Sequence, residues 1–203
     1  MWTGKTLPAV PRTQRRNEVT LFVARKGAGK STRALDELAR RDSRRWAFVW
    51  DPVGWFPRVI GGRVTIEAND PQQWLTSARP SQPSIVRFVG APVDSAHWLV
   101  AIAWAFPGSL IVWDEAGQLM PYGVAEPWLR VAITQARHRA VSLWFLAQRV
   151  TILDRLVVAN ADRAVVGPLG YARDRKAMAE EFDAPELLEF EHAKPGTFRT
   201  FKR

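Results

Sequence analysis

The 203-residue chain contains no cysteine and only three histidines, His97, His138 and His192. Without cysteine it cannot form disulfides or thiolate metal sites, and the histidines are too scattered in sequence to suggest a metal cluster. Its longest apolar stretch, residues 98–106, has nine residues, whereas a membrane-spanning helix needs about 20. The N-terminus lacks the apolar core of a signal peptide. These absences predict a soluble protein with no integral membrane segment.

The composition is that of an ordinary globular protein, with 47% hydrophobic and 24% charged residues. Its net charge of +9 is distributed unevenly, because residues 1–45 hold 12 Lys or Arg and only 4 Asp or Glu. The length suits one domain with a substantial core. We therefore expect a basic N-terminal arm over residues 1–17 and a single domain over residues 18–203.

A glycine-rich segment near the N-terminus carries the first functional signal. Residues 24–31 read A-R-K-G-A-G-K-S and match a phosphate-binding loop, except that Ala24 stands in the usual glycine position. We expect its methyl group to be tolerated if φ is negative there. An apolar, β-branched run over 19–23 precedes the loop and a helical pattern follows it, the context in which backbone N–H groups and a helix N-terminus bind phosphate. The predicted nucleotide-binding residues are Lys26, Gly27, Ala28, Gly29, Lys30, Ser31 and Thr32.

An acidic pair is the second signal, since Asp114 and Glu115 end the apolar run over 110–113. A continuous apolar run is expected for a central strand of a parallel sheet, and open α/β sheets bind ligands at the carboxyl ends of such strands. Lys30 is predicted to reach the β- and γ-phosphates, and Ser31 to ligate Mg²⁺ together with Asp114. Glu115 is predicted to orient and deprotonate the attacking water. ATP and Mg²⁺ are therefore the expected ligands.

Strand-like and helix-like segments alternate along the chain, which predicts an α/β fold with a mostly parallel sheet and crossover helices. The predicted strands cover residues 19–23, 45–51, 63–68, 84–89, 109–113, 142–147, 163–166 and 196–202, the last as an edge strand. The predicted helices cover residues 31–41, 93–106, 125–139, 151–161 and 171–182. Residues 116–124 are predicted to form a loop.

A third segment narrows the choice of protein family. Residues 134–149, T-Q-A-R-H-R-A-V-S-L-W-F-L-A-Q-R, combine an Arg-His-Arg helix end, an apolar strand and a terminal Gln. After a D-E strand, this pattern resembles the FtsK–HerA superfamily of DNA-pumping ATPases. Within it the chain looks most like the compact genome-packaging ATPases of tailless icosahedral viruses with internal membranes. The resemblance covers residues 19–166 and implies a P-loop NTPase fold of the RecA/ASCE type, with helices flanking the central sheet.

The resemblance implies roles for further residues. Gln148 matches the polar sensor that contacts the γ-phosphate or the lytic water on the strand beside the phosphate loop. Arg137 and Arg139 match the region that supplies an arginine finger to a neighbouring subunit, and Arg149 is a third candidate. A guanidinium there stabilises the charge on the transferring phosphoryl oxygens. The residues alone leave open that both arginines only solvate a helix end and that Gln148 only caps a strand.

The resemblance also implies a function: an ATP-hydrolysing DNA translocase that packages a viral genome into a preformed capsid. The expected partners are double-stranded DNA, capsid or portal-vertex proteins and copies of this chain in a homo-oligomeric ring, with a hexamer implied. The expected location is the cytoplasm of the infected host, with a virion vertex as a second location. Residues 117–124 are a candidate DNA-gripping loop, although they contain no Lys or Arg.

The basic surplus has two interpretations. Arg40, Arg41, Arg44 and Arg45 cluster where the first helix is predicted to end, and cations there complement the helix dipole. A basic patch also binds polyanions with release of counterions, so DNA binding through this cluster is expected to weaken steeply with added salt.

Three other functions stay open at this stage. A morphogenesis ATPase like the zonula occludens toxin-like proteins of filamentous phages would carry similar motifs, usually followed by a membrane-spanning segment. A nucleoside or nucleotide kinase is faintly suggested by D-E-A-G-Q at residues 114–118, but the thymidine kinases with a related motif usually carry a cysteine-bearing zinc lobe. A non-hydrolysing DNA- or capsid-binding adaptor is disfavoured by the presence of Lys30, Asp114 and Glu115 together.

Overall fold

The computed structural model describes residues 17–77 and 82–203, in which ten strands and six α-helices alternate. The strands are β1 (Val19–Val23), β2 (Ala47–Asp51), β3 (Val59–Ile60), β4 (Arg63–Val64), β5 (Ile66–Ala68), β6 (Ile85–Val89), β7 (Leu110–Trp113), β8 (Ser142–Ala147), β9 (Arg163–Val166) and β10 (Arg199–Lys202). The helices are α1 (Lys30–Ala39), α2 (Pro71–Thr76), α3 (His97–Ala105), α4 (Pro127–Gln135), α5 (Arg155–Ala159) and α6 (Ala172–Glu181).

Eight of these strands form one sheet in the order β10-β9-β1-β8-β7-β2-β6-β5. All neighbours pair in parallel except β10, which lies antiparallel to β9 at the edge. The remaining two, β3 and β4, form a separate antiparallel hairpin. The α/β fold class, the mostly parallel sheet and the edge position of the last strand are thus confirmed.

Apolar side chains cover both faces of the sheet, which explains why the central strands are continuous apolar runs. On one face, Phe22 of β1 packs with Ala34 and Leu38 of α1 and with Ile60 of the hairpin. Leu21, the adjacent residue of β1, belongs to the larger cluster on the opposite face, which includes residues of α3, α4 and α6. The sheet is therefore buried between two layers, and ligands can reach its strands only at their ends.

The sheet has two functionally different edges, because its parallel strands all end on the same side. At the carboxyl edge β1 runs into the phosphate loop, β7 into Asp114 and β8 into Gln148. At the amino edge the chain enters β2 after the 40–46 connection and enters β8 after a 3₁₀ turn, Ala136–Arg139. Since β1 lies beside β8 and β8 beside β7, the predicted phosphate loop, sensor and acidic pair are brought to neighbouring positions.

Several predicted boundaries were wrong. The predicted helix over 93–106 is a 3₁₀ turn, Val93–Ser95, followed by α3, and the one predicted over 125–139 is α4 followed by the 3₁₀ turn at its end. The predicted helix over 151–161 is reduced to α5, because Asp154 is extended and caps Leu156 N–H at 2.8 Å. The predicted loop over 116–124 contains two 3₁₀ turns, Ala116–Leu119 and Pro121–Gly123.

The region between β2 and β6 contains elements that the sequence did not predict. The hairpin strand β3 was missed, the predicted strand over 63–68 divides into β4 and β5, and α2 was missed entirely. A local signal for α2 exists, because Asp70 accepts hydrogen bonds from Gln72 N and Gln73 N, and Pro71 occupies the first turn.

Two further predictions concern the basic N-terminal arm and membrane-spanning segments. The predicted basic arm, residues 1–17, lies outside the described residues except for its last position, so it stays a prediction. Within residues 17–77 and 82–203, no helix has both the length and the apolar composition required to cross a membrane.

Candidate active site

The phosphate loop connects β1 to α1 in a conformation that needs glycine at two positions. Gly27 and Gly29 have φ values of 76° and 88°, in the region that favours glycine. Gly29 is the N-cap of α1 and offers no side chain, so no side-chain group caps the first N–H groups of the helix. These N–H groups therefore remain available for a phosphate at the positive end of the helix dipole.

Ala24, the departure from the usual motif, is accommodated by its neighbours. It is fully buried and is not among the residues with positive φ, so its backbone does not require glycine. The space for its methyl group comes from Gly167, where an added Cβ would lie 2.8 Å from the Ala24 Cβ and 2.7 Å from the Phe198 ring. A glycine on the facing segment thus compensates for the alanine in the loop.

Lys30, Ser31 and Asp114 meet at the carboxyl edge of the sheet. The Lys30 Nζ lies 3.1 Å from Asp114 Oδ1, and the Ser31 hydroxyl donates to the same oxygen at 3.4 Å. Lys30 and Asp114 are both buried, so this is a desolvated pair whose partners depend on each other. The structure therefore brings the predicted phosphate-binding lysine and the two predicted metal ligands into direct contact.

Glu115 and Gln148 form the second part of the constellation. The Gln148 amide donates to both Glu115 carboxylate oxygens at 3.1 Å, and Glu115 Oε1 lies 3.9 Å from Lys30 Nζ. The Glu115 backbone is left-handed, with φ 49° and ψ 45°, a conformation that costs a non-glycine residue about 1–3 kcal/mol. Such strain is typical of a functional position, and here it accompanies a carboxylate that contacts Gln148 and lines the pocket.

One pocket of about 330 Å³ joins these residues to the phosphate loop. It is lined by Arg25, Lys26, Gly27, Gly29, Lys30, Ser31, Thr32, Trp55, Glu115 and Gln148. Of the seven predicted nucleotide-binding residues only Ala28 is absent from the lining, because its side chain is buried. Arg25 and Trp55 were not predicted as site residues.

Trp55 reaches the pocket because a buried ionic network holds its loop. Asp51, fully buried at the end of β2, accepts hydrogen bonds from Trp55 N at 2.8 Å and Phe56 N at 3.0 Å. Arg87 of β6 lies 3.6 Å from Asp51 Oδ2 and donates to Thr65 Oγ1 at 2.9 Å. Burial raises the pKa of Asp51, although the two N–H groups lower it. The sequence signal that could have revealed this network is Arg87, a charged residue within the otherwise apolar strand β6.

Arg137 and Arg139 lie at the amino edge, away from this pocket. Arg137 forms an ion pair with Asp162, which also accepts a hydrogen bond from Val19 N at 2.9 Å. The Arg139 guanidinium lies over the Trp104 ring, 5.4 Å from its centroid. The structure therefore does not bring these two arginines to the phosphate pocket of their own chain.

Arg149 lies at the carboxyl edge, next to Gln148, but its guanidinium is engaged by other groups. It donates to the buried Asp174 at 3.2 Å and stacks on the Tyr171 ring, 4.0 Å from the centroid. Asp174 also accepts from the Thr151 N–H at 3.0 Å and from its hydroxyl at 2.8 Å. Arg149 thus connects the end of β8 to α6.

The donor set at the site fits a hard cation held partly by the nucleotide. Ser31 and Asp114 supply oxygen atoms, which Mg²⁺ prefers, and Mg²⁺ commonly takes its remaining ligands from phosphates and water. Within residues 17–77 and 82–203, no group of three or more His, Cys, Asp or Glu could hold a metal by itself. Ser31 and Asp114 would therefore hold Mg²⁺ only together with bound nucleotide.

No family model matches the chain. Individual known proteins are nevertheless similar to it in sequence or in fold. The DNA packaging ATPase P9 of Enterobacteria phage PRD1 is 24% identical over 162 residues, which cover 78% of this chain and 67% of that protein. The genome packaging NTPase B204 from Sulfolobus turreted icosahedral virus 2, solved with AMPPCP, superimposes with a TM-score of 0.73. It is 17% identical, with 91% of this chain and 92% of that one covered.

B204 from Sulfolobus turreted icosahedral virus, described as a DNA-packaging ATPase, gives a TM-score of 0.68 at 14% identity, with 93% of both chains covered. At such low identities the structural matches show the fold alone, which is that of a P-loop NTPase. The similarity to P9 and B204 confirms the resemblance to viral genome-packaging ATPases that was expected from the D-E strand, the Arg-His-Arg helix end and the terminal Gln.

Proposed function

We propose that this chain is an ATP-hydrolysing motor that moves double-stranded DNA into a preformed viral capsid. The observation that carries the proposal is the constellation of Lys30, Ser31, Asp114, Glu115 and Gln148 around one pocket at the carboxyl edge. The similarity to P9 and B204, whose names describe DNA or genome packaging, supports the choice of substrate and process.

The proposed chemistry divides the work among these side chains. Lys30 binds the β- and γ-phosphates beside the N–H groups of the loop. Ser31 and Asp114 would hold Mg²⁺, which would neutralise charge on the phosphate oxygens. Glu115 accepts the proton of the attacking water. Gln148 donates to both Glu115 oxygens at 3.1 Å, which supports its proposed roles of orienting this carboxylate and of responding when the γ-phosphate leaves.

The motor is proposed to work as a homo-oligomeric ring, with a hexamer implied by the resemblance. In such a ring a neighbour's Arg137 or Arg139 would reach the pocket in trans as an arginine finger. Residues 117–124 begin two residues after Glu115, and their Tyr122 is fully exposed with φ 58°, which supports this loop as the element that contacts DNA. The basic cluster at the end of α1 provides a second DNA-contacting surface at the amino edge.

The proposed partners and location follow from the packaging role. Capsid or portal-vertex proteins would receive the motor, and the cytoplasm of the infected host would be its place of action, with the virion vertex as a second location.

The proposal is tested by measuring ATP hydrolysis by the purified protein with and without double-stranded DNA. Glu115→Gln is expected to lower turnover by about 10²- to 10⁴-fold, because it removes the proton acceptor and keeps the shape of the side chain. Glu186→Gln, the same change at an exposed glutamate outside the pocket, serves as the matched control. DNA is expected to stimulate the wild type and the control and to leave Glu115→Gln inactive.

Other results would point to other functions. Turnover that ignores DNA but requires a nucleoside acceptor would indicate a kinase. Hydrolysis that DNA does not affect would favour a morphogenesis ATPase. ATP binding without hydrolysis in every condition, including added capsid proteins, would favour an adaptor and contradict the motor.

A further inference from the structure

Arg25, the second residue of the phosphate loop, has a fixed backbone and a free side chain. Its N–H donates to Pro168 O at 2.8 Å, and its carbonyl accepts from Ala28 N at 3.1 Å, so both backbone groups are held. The side chain is exposed and lines the phosphate pocket together with Glu115 and Gln148. Within the described part of the chain, no side chain forms a hydrogen bond or an ion pair with its guanidinium.

The three arginines implied by the resemblance differ from Arg25 in this respect. Arg137 is ion-paired with Asp162, Arg139 lies over Trp104, and Arg149 is bound to Asp174 and stacked on Tyr171. Arg137 and Arg149 must each give up an ion pair with a carboxylate before binding a phosphate, and Arg139 does not line the pocket of its own chain. Arg25 already lines the pocket and has no such contact to lose.

The charge balance of the pocket creates a need for this cation. Asp114 and Glu115 place two negative charges around Lys30, so the charge of this lysine is already offset before the nucleotide arrives. A nucleoside triphosphate adds several more negative charges, so further positive charge must come from nearby side chains as well as from Mg²⁺. Arg25 and Lys26 are the cationic side chains of the lining that hold no acid.

Of these two, Arg25 has the more suitable chemistry for a terminal phosphoryl group. Its planar guanidinium presents donors in a fork that matches two phosphate oxygens at once, whereas the Lys26 ammonium acts as a point charge. A donor aimed at oxygens on which charge develops contributes more in the transition state than in the ground state.

We propose that Arg25 is a catalytic residue that contacts the terminal phosphate of the nucleotide in its own subunit and stabilises the transition state of hydrolysis in cis. This inference rests on the proposed ATPase function and adds a cationic residue that acts without a neighbouring subunit. The trans finger, if Arg137 or Arg139 supplies one, would act on the same phosphoryl group from outside the chain.

The first test compares Arg25→Ala and Arg25→Lys with the wild type in steady-state ATP hydrolysis. Arg25→Ala is expected to lower kcat by about 10²-fold, the size seen when one preorganised donor to a developing charge is removed. Arg25→Lys is expected to recover part of this loss, because it restores the charge but not the fork. The matched control is Arg155→Ala, which removes an exposed arginine that does not line the pocket. Arg25→Ala turnover within about twofold of the control would overturn the proposal.

A mixing experiment separates action in cis from action in trans. Subunits with Arg25→Ala keep Glu115, and subunits with Glu115→Gln keep Arg25. If Arg25 acts in cis, no site in a mixed ring has both groups and the mixture stays inactive. Recovery of hydrolysis on mixing would place Arg25 in the neighbour's site and overturn the cis assignment.

Nucleotide affinity tests the contact independently of turnover. Arg25→Ala is expected to bind AMPPCP about tenfold more weakly than the wild type, while its ADP affinity stays within about twofold, because only AMPPCP carries the terminal phosphate. Equal weakening of both nucleotides would mean that Arg25 only supports the loop, and would contradict the proposal. A wild type that binds AMPPCP but does not hydrolyse ATP would refute the proposed function and the catalytic role of Arg25, and the affinity comparison would then decide only whether Arg25 contacts the terminal phosphate.

Discussion

The carboxyl and amino edges of the sheet use their charged residues differently. At the carboxyl edge, Lys30 is shared between two acids around a pocket with room for a nucleotide, and Arg25 has no partner within residues 17–77 and 82–203. At the amino edge, Arg137 pairs with Asp162, and Arg203 pairs with Glu181. The carboxyl edge therefore keeps capacity for a ligand, whereas amino-edge pairs hold the ends of strands and helices.

The amino edge also shows that a basic cluster is not automatically a free surface. Arg44 lies 3.1 Å from Asp42, and Arg41 is half-buried and donates to Gly108 O at 3.5 Å. Burial, helped by the nearby Arg45, lowers the pKa of Arg41 to about 10, so it stays charged at neutral pH but is already engaged by a backbone carbonyl. Arg40 is exposed, and in the described part of the chain it has no ion-pair partner.

The largest expected effect concerns the trans finger, where the two candidate arginines should differ. Arg139→Ala is expected to lower hydrolysis by about 10³-fold, the lower end of the range for an arginine finger. Among the described residues Arg139 has no ion-pair partner, and its contact with the Trp104 ring is worth about 0.5–2 kcal/mol for a half-buried side chain, so assembly can release it at low cost. Arg137→Ala is expected to cost less activity, since this arginine must leave Asp162 before it can act.

Mixing subunits checks this prediction and its direction. Arg139→Ala and Glu115→Gln subunits, each inactive alone, should regain hydrolysis together, because an Arg139→Ala site can receive Arg139 from a Glu115→Gln neighbour. No recovery on mixing would argue against a trans role for Arg139. If hydrolysis recovers when Arg137→Ala subunits, but not Arg139→Ala subunits, are mixed with Glu115→Gln subunits, the finger is Arg137. The Asp162 pair must then open on assembly.

The sequence predicted those parts of the fold that depend on local apolar pattern. The bounds of β1, β8 and β9 were predicted to the residue, because each is a short apolar run that ends at polar or glycine-rich sequence. The predicted positions of Asp114, Glu115 and Gln148 at the carboxyl edge followed from the same runs, since parallel strands end on one side. The contacts of Lys30 with Asp114 and of Gln148 with Glu115 then required only that β1, β8 and β7 be neighbours.

The parts that the sequence did not reveal depend on partners that are distant in the chain. The residues next to an arginine in the sequence do not show whether its side chain is free. The partner of Arg137 is 25 residues away, and that of Arg139 is a ring in another helix. The hairpin of β3 and β4 is stabilised by its approach to α1, where Gly61 lies against Ala39. Such short strands carry too little local pattern to be recognised.

The second prediction concerns the buried ionic network that supports the carboxyl edge at Trp55. Arg87→Met is expected to lower the free energy of unfolding by about 3–5 kcal/mol, because it leaves Asp51 buried without its cation and Thr65 without its donor. Chemical denaturation measures this directly. The control is Glu67→Gln, which changes the half-exposed end of the same network and should cost about 0–1 kcal/mol. Equal losses for the two variants would show that burial does not set the strength of this network.

The smallest expected effect is on DNA binding by the amino edge. If Arg40 contacts a DNA phosphate, Arg40→Ala should weaken binding equally for all sequences and reduce the slope of log affinity against log salt by about one. Arg155→Ala, which removes an exposed arginine at the start of α5, is the matched control and should leave the slope unchanged. The measurement is a salt titration of binding to a short duplex. A wild-type affinity that does not change from low to moderate salt would contradict a DNA-binding amino edge, and its cations would then be attributed to the helix end and their ion pairs alone.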